Sequence, residues 1–331
     1  MTILRKNGVS IDVPPDGDEV WFSLDGMGTW IPNKGNFINE IEDECLKIHK
    51  NLAANIFGDL VTYYATIALN QDLLDLLEYA GLNSESPISK IEFESIINTK
   101  LNNTFVYQLL YLFDCRKLVS SIQECSKELV HIQGEFYKTL NLEPLFYPPV
   151  EEPDGTRYIT SATTTKLHLL IGFLYIRMHS MLDYTTKLAF EVDHLKDSFD
   201  TYPKLSSSNI QFSDKSKISV NNMAGSVFEA NKLITEIEVF RNLIIHNALL
   251  DDLPKAYKVA QDGVEIEKFI LMPDRSENGH LEKYKNRNLF YSKEDKINLR
   301  LTELISDFQI KMAKTLEHIN QILVSKQNQE A

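Results

Sequence analysis

The sequence has little of what marks secreted, zinc-binding or membrane proteins. Its three cysteines, Cys45, Cys115 and Cys125, are an odd number without a CxxC pair, which argues against a disulfide framework and a zinc ribbon. The longest apolar run, residues 167–176, falls far short of a membrane span. The first residues lack the apolar core of a signal peptide. We therefore expect a cytoplasmic protein that has no membrane segment.

Motifs for common cofactors and metals are also missing. The chain contains no HExxH, EF-hand, GxxxxGK[ST] or GxGxxG segment, so metallopeptidases, calcium-binding proteins and P-loop enzymes lose support. The segment from Glu265 to Lys268 invites comparison with metal-nuclease hairpins, but Ile266 stands where those need an acidic residue. The sequence thus predicts neither a metal site nor a cofactor.

The charge balance is acidic. With 34 basic and 47 acidic residues the net charge is −13, and such a chain as a whole repels a polyanion. Contact with RNA therefore requires a local basic patch or a composite site. Residues 282–300 hold six basic against three acidic residues, with Tyr284, Phe290 and Tyr291 interleaved, a pattern that can bind RNA. The simpler alternative is a solvated entry to the last helix.

Most of the chain shows helical periodicity, with apolar residues at steps of three and four. Residues 36–143 predict a long helical hairpin, and residues 1–35, rich in turn-forming residues, predict an irregular, β-rich arm. The prolines of residues 144–160 predict a linker. Residues 161–326 predict a helical domain with a β-hairpin near 255–272, where apolar and polar residues alternate. The expected fold class is mainly α.

A helix predicted at residues 221–247 carries the strongest candidate for chemistry at its end. Asn242 and His246 are four residues apart and share one face, whereas Arg241 and His246 are separated by about 140°. Arg241 joins the other two only if the helix loosens near Asn247, if its side chain reaches sideways, or if a second copy supplies the missing half. The side chains predicted to be buried on this helix are Leu233, Ile237, Phe240 and Ile244.

The run from Arg241 to His246 resembles the mark of the HEPN superfamily, a group of helical-bundle proteins many of which are RNases. That mark is an arginine, usually followed by a polar residue, with a histidine four to six residues further on, near a helix end. The resemblance covers roughly residues 160–326. It implies an HEPN-like bundle and a metal-independent endoribonuclease that works as a homodimer, with the motifs of both subunits facing one cleft. By analogy it also implies a role in phage defence or as a toxin, with RNA as substrate and an antitoxin or regulatory partner.

Three residues are the expected catalytic group. A histidine exchanges protons near neutral pH, so His246 is expected to act as acid or base on the 2′-hydroxyl or the leaving oxygen. Arg241 is expected to hold the scissile phosphate and to stabilise the charge of the transition state. Asn242 is expected to orient His246 or to bind a phosphate oxygen.

Three further residues are candidate supporting groups. Glu238 lies one turn before Arg241. His179 and Asp183, four residues apart on the preceding helix, are candidates to face the site, and the alternative is a polar pair on a solvated face.

The motif also has a purely structural interpretation. Arg241 can form an ion pair with Glu238, while His246 and Asn247 can cap the helix end. The alternative function is then a non-catalytic helical protein that dimerises or binds a nucleotide or a partner.

Overall fold

The computed structural model describes residues 1–100, 104–146, 153–246, 251 and 253–330. Within these ranges the protein has eight α-helices and two small three-stranded antiparallel sheets, which confirms the mainly α class. The helices are α1 (Ile38–Phe57), α2 (Leu60–Leu69), α3 (Gln71–Leu77), α4 (Lys90–Lys100), α5 (Thr104–Leu142), α6 (Ala162–Asp193), α7 (Lys232–His246) and α8 (Ile297–Glu330). No single one of them is long and apolar enough to cross a membrane, and only α1 with α2, bent by 85°, meets those criteria as a pair.

The chain divides into two compact units that do not follow chain order. The first unit comprises Met1–Ile38, Cys125–Ser180 and Ala230–Lys311, and the second comprises Asn39–Glu124, Met181–Glu229 and Met312–Ala331. Both sheets and the whole of α7 belong to the first unit. The motif and its immediate surroundings can therefore be described within that unit.

Part of the helical hairpin predicted from residues 36–143 is found within the second unit. Helix α1 packs antiparallel to the first half of α5, because His49 contacts Gln123 near one end and Gln108 contacts Ile56 near the other. The distances are 3.1 Å from His49 Nε2 to Gln123 Oε1 and 3.0 Å from Gln108 Nε2 to the Ile56 carbonyl oxygen. The polar residues Asn102 and Asn103, which predict a break in the second helix of this hairpin, lie outside the described residues.

The first sheet forms the β-rich arm. Its strands β1 (Leu4–Arg5), β2 (Trp21–Leu24) and β3 (Trp30–Pro32) are antiparallel in that order. The arm is fixed to the end of α5, because Phe22 stacks on Tyr137 at 4.3 Å between ring centroids. In addition the Asn141 amide both accepts from and donates to the backbone of Arg5, at 3.1 and 3.0 Å. The arm is thus an ordered part of the first unit.

The second sheet contains the β-hairpin predicted near residues 255–272. Strands β5 (Ala256–Gln261) and β6 (Val264–Phe269) are joined at Asp262 and Gly263, whose φ values of 52° and 74° are those of a tight hairpin turn. A third strand, β4 (Gly155–Ile159), pairs with β5. Residues 155–159 therefore form a strand where the sequence indicated a linker, and residues 147–152 of that stretch lie outside the described residues.

Helix α7 begins at Lys232, about ten residues later than predicted from the pattern. Upstream the chain turns, since Asn222 and Gly225 have φ values of 59° and 78°, which no α-helix accommodates. The helix then starts because the Asn231 side chain accepts hydrogen bonds from the N–H groups of Leu233 and Ile234, each at 3.1 Å. The predicted helix over residues 221–231 is therefore wrong.

The buried face of α7 also differs from the prediction. Ile237 and Phe240 are buried as expected, but Leu233 and Ile244 are only half-buried. The ring of Phe240 lies 4.9 Å from that of Tyr175 on α6. The residues that α7 buries are Ile234, Glu236, Ile237, Phe240 and Leu243. A charged side chain is therefore part of the buried face.

Candidate functional site

The last turn of α7 brings the three motif side chains together in a single chain. Arg241 Nη1 donates a hydrogen bond to Asn242 Oδ1 at 2.9 Å and contacts His246 Nε2 at 3.4 Å. The helix is continuous as far as His246, so the arginine side chain reaches sideways, which is one of the three routes considered from the sequence. The long guanidinium arm spans the angle that separates the two residues on an ideal helix.

This cluster is open to solvent. Asn242 and His246 are exposed and Arg241 is half-buried, whereas Leu243 between them points into the core. A guanidinium has no lone pair, so His246 Nε2 is the acceptor in its contact with Arg241. The arrangement offers a cation and a proton acceptor to a ligand that approaches from solvent.

The candidate supporting residues lie on two helices, Glu238 on α7 and both His179 and Asp183 on α6. In the described part of the chain the side-chain partners of Arg241 are Asn242 and His246, and Glu238 is not among them. On α6, His179 is half-buried, and Asp183 accepts a hydrogen bond at 2.8 Å from the N–H of Phe212, where a short 3₁₀ helix begins (Phe212–Lys217). Asn247, the other residue of the capping interpretation, lies outside the described residues.

A buried ionic cluster next to the motif was missed from the sequence. Glu236 is 8% exposed, and its carboxylate is bound by both Arg275 and Arg300, the latter at 2.8 Å. Asp295 closes the ring, because it pairs with Arg275 and, at 2.9 Å, with Arg300. Tyr175 donates a further hydrogen bond to Glu236 Oε1 at 2.6 Å. Two guanidinium groups and two carboxylates thus alternate around the start of α7.

Electrostatics keep the Arg300 side chain of this ionic cluster charged. Burial acts to lower the pKa of Arg300, but the neighbouring carboxylates of Glu236 and Asp295 outweigh it, and the pKa is raised overall. Burial, followed by the charge of Glu236, raises the pKa of Tyr175 well above its usual value. Tyr175 therefore stays a neutral donor, and the arginine stays a cation. The one signal in the sequence was an acidic residue beside the apolar stripe, and its partner Arg300 is 64 positions away.

The loop of residues 274–295 is tied to α7 beside this ionic cluster. At Gly279, with φ of 88°, a Cβ atom would lie 2.4 Å from the carbonyl oxygen of Lys232, so only glycine fits there. A cavity of about 440 Å³ lies between the loop, α7 and α8, and acidic side chains outnumber basic ones around it. The loop is therefore held both by ion pairs and by a close backbone contact.

An apolar patch lies where α6 meets the end of α7. Leu169, Phe173, Ile176 and Ile244 line a cavity of about 140 Å³, with His168 and Asp251 at its polar edge. Leu169 and Phe173 are 54% and 51% exposed, which is high for large apolar side chains. This apolar patch is a candidate contact surface close to the motif helix.

Two histidines outside the motif are expected to make stability depend on pH. Burial lowers the pKa of both His49 and His168 from the ordinary value of 6.5. As the pH falls through 6.5 the unfolded chain takes up protons that the folded protein refuses, so acid favours unfolding. We expect urea-induced unfolding to need less urea at mildly acidic than at mildly alkaline pH. The double variant His49→Gln/His168→Gln should lose less stability over that range, and an identical loss in both proteins would contradict the prediction.

Comparisons with protein-family models, with curated proteins and with solved structures gave no match. Over the residues that the structure describes, no group of three or more His, Cys, Asp or Glu side chains is placed to hold a metal ion. What this chain does must therefore be inferred from its own side chains, first of all from Arg241, Asn242 and His246.

Proposed function

We propose that the protein is a metal-independent endoribonuclease of HEPN type, with Arg241, Asn242 and His246 as its catalytic residues. The observation that carries the proposal is their convergence at an exposed helix end, with Arg241 Nη1 2.9 Å from Asn242 and 3.4 Å from His246. An arginine beside a histidine suits phosphodiester chemistry, because one binds the phosphate and the other moves a proton. The helices of residues 161–326 would form the HEPN-like bundle.

The proposed reaction is an internal transesterification. His246 Nε2 takes the proton of the 2′-hydroxyl, and the 2′-oxygen attacks the adjacent phosphorus. The P–O5′ bond breaks, and the leaving oxygen takes up a proton. The products are a 2′,3′-cyclic phosphate and a 5′-hydroxyl end, and no cofactor or redox partner is consumed.

Arg241 has two tasks in this scheme. At rest its guanidinium occupies the lone pair of His246 Nε2. A phosphodiester offers two charged oxygens, which a guanidinium binds as a fork more strongly than it binds a neutral imidazole. Binding of the phosphate therefore draws the guanidinium away and frees Nε2 to act as base. Asn242 limits how far Arg241 can swing, because the two side chains are hydrogen-bonded.

A second copy of the chain would complete the site. Each chain offers one motif histidine, and transesterification needs both a base and an acid, so the His246 of a partner would supply the second group. The apolar patch beside the end of α7, with Leu169 and Phe173 exposed, gives such a copy a surface to bind. A role in phage defence or as a toxin, restrained by an antitoxin or regulatory partner, would follow for a nuclease of this kind.

The chemistry of the products tests this proposal. Wild-type protein incubated with single-stranded RNA in EDTA is expected to cleave as fast as without it. The fragments should carry 5′-hydroxyl ends that a polynucleotide kinase labels without prior phosphatase treatment. An RNA with a single cleavable position should become resistant when the nucleotide before the scissile bond is 2′-deoxy, because the nucleophile is then missing. A requirement for a divalent metal, or 5′-phosphate products, would contradict the proposal.

The apolar patch also favours a second candidate function, a non-catalytic helical protein that dimerises or binds a nucleotide or a partner. In that case wild-type protein leaves RNA intact. Sedimentation would then show a dimer that Phe173→Glu separates into monomers, because the charge disrupts an apolar contact. A dimer that also cleaves RNA would favour the endoribonuclease over this alternative.

A further inference from the structure

The basic stretch before α8 is a folded loop and not the start of a helix. Helix α8 begins at Ile297, and upstream the Asp274 carboxylate accepts hydrogen bonds from the N–H groups of Ser292 and Lys293, at 2.7 and 2.9 Å. Further out, Tyr284 and Arg287 exchange both backbone hydrogen bonds, at 2.8 and 3.0 Å. The loop therefore ends in a tight hairpin, and the basic stretch joins the helix only from Ile297 onward.

The tip of this hairpin, residues 283–287, concentrates positive charge. Lys283, Lys285 and Arg287 are exposed, and none of them is paired with a carboxylate in the described ranges of the chain. The Tyr284 side chain is 65% exposed, and Lys285 Nζ lies 5.5 Å from the centre of its ring. Residues 283–293 contain four basic and no acidic residues, in a chain whose net charge is −13. The tip is thus a local exception to the charge of the whole protein.

Ion pairs and hydrogen bonds connect the base of this hairpin to α7, the helix that carries the motif. Lys293 pairs with Glu282 at 2.5 Å, and its Nζ donates to the carbonyl oxygen of Arg275 at 2.7 Å. Arg275 in turn pairs with Glu236 on α7, and Gly279 packs against the backbone of the same helix. The hairpin and the motif therefore belong to one compact unit and are joined through the first turns of α7.

We propose that the hairpin tip binds single-stranded RNA, with Lys283, Lys285 and Arg287 on phosphate oxygens and Tyr284 stacked on a base. Three unpaired cations attract a polyanion that the rest of the surface repels. An exposed tyrosine adds the flat surface that unpaired bases use. In a duplex the base faces are already stacked, so the tip selects single strands. The inference rests on the proposed function and names its substrate class, because a surface tied to α7 would hold the strand whose phosphate reaches Arg241.

Binding of a short fluorescent RNA, measured by anisotropy, tests the tip separately from catalysis. The full-length His246→Ala protein serves as background in every arm, so that no RNA is cut. Added to this background, the triple change Lys283→Gln/Lys285→Gln/Arg287→Gln is expected to weaken binding at least about tenfold. It should also reduce the slope of log affinity against log salt concentration by about 2, because each lost phosphate contact contributes about 0.7. Tyr284→Leu should weaken binding about tenfold with the salt slope unchanged.

The matched control removes the same charge elsewhere. Lys50, Lys117 and Lys204 are exposed lysines of the second unit, and their triple change to glutamine should leave affinity nearly unchanged. The proposal is overturned if both triple variants bind alike, or if duplex RNA of the same sequence binds as tightly as the single strand. Competition by an acidic peptide as strong as that by RNA would instead make the tip a protein-binding surface and also overturn it.

Cleavage by wild-type protein is measured in parallel, so that a failure of the RNA-binding proposal can be distinguished from a failure of the endoribonuclease proposal. Tip-dependent binding without any cleavage would refute the endoribonuclease and leave the RNA-binding tip intact. Cleavage that is unchanged in the tip variants, together with unchanged binding, would refute the tip alone.

Discussion

Replacing His246 by alanine is expected to slow RNA cleavage by about 10²- to 10⁴-fold, the contribution of a positioned acid or base. In the proposed reaction the imidazole is the proton carrier, since Asn242 and Arg241 cannot take up a proton at neutral pH. Arg241→Ala should slow cleavage by about 10²- to 10³-fold, because it removes a donor aimed at the charge of the transition state. Arg241→Lys should fall between wild type and alanine, since lysine keeps the charge but loses the planar fork. Single-turnover cleavage in EDTA measures all three rates.

Controls separate chemistry from folding. His246 is exposed, so its removal should leave the urea midpoint of unfolding unchanged. His131→Ala removes an exposed histidine from α5 and should cleave like wild type. If His246→Ala or Arg241→Ala cleaved as fast as His131→Ala, the motif would have no catalytic role.

The motif shows which contacts can be predicted from the spacing of residues in the sequence. That Asn242 and His246 share a face follows from their four-residue separation. The same geometry separated Arg241 from His246, and only the rotamer of a long side chain brings Nη1 within 3.4 Å. Rotamers depend on what surrounds a side chain, so no periodicity in the sequence could have predicted this contact. The shared face of Asn242 and His246 was thus predictable, whereas the contact of Arg241 with His246 was not.

Helices were more predictable than their boundaries. Apolar periodicity predicted α1, α5, α6, α7 and α8 as helices, because each buries a continuous stripe. The start of α7 was placed too early, because a single side chain decides it: Asn231 caps the helix, as Asp274 holds the backbone before α8. The composition of the basic stretch before α8 resembles that of a helix entry. The hairpin depends on local contacts that this composition does not reveal.

The ionic cluster lies beyond sequence reasoning for a different reason. Glu236 stands beside the apolar stripe of α7, where a charged residue is costly unless it is paired. Its partners Arg275 and Arg300 come from other elements, and nothing in local pattern links them to it. Contacts between residues far apart in the chain are decided by the packing of whole elements, which periodicity does not encode.

Replacing Glu236 by alanine is therefore expected to give the largest loss of stability, about 3 kcal/mol in the free energy of unfolding. Removing one partner of a buried ion pair strands the other charges, which costs about 3–5 kcal/mol, and the lower end applies because Asp295 still pairs with both arginines. The change also removes the acceptor for the Tyr175 hydroxyl. Glu236→Gln keeps an acceptor for Tyr175 and should lose less. Urea unfolding followed by far-UV circular dichroism measures each value.

The matched control lies two residues away on the same helix. Glu238 is half-buried and has no ion-pair partner in the part of the chain that the structure describes, so Glu238→Ala should change the free energy of unfolding by less than about 0.5 kcal/mol. Tyr175→Phe removes one hydrogen bond to a charged group and should cost about 1.5 kcal/mol. This ordering follows from what each variant removes: the ion-pair partner of two arginines in Glu236→Ala, one hydrogen bond in Tyr175→Phe and no ion pair in Glu238→Ala. If Glu236→Ala were as stable as Glu238→Ala, the ionic cluster would not hold the loop of residues 274–295 to α7. The hairpin proposed to bind RNA would then not be held in place against α7.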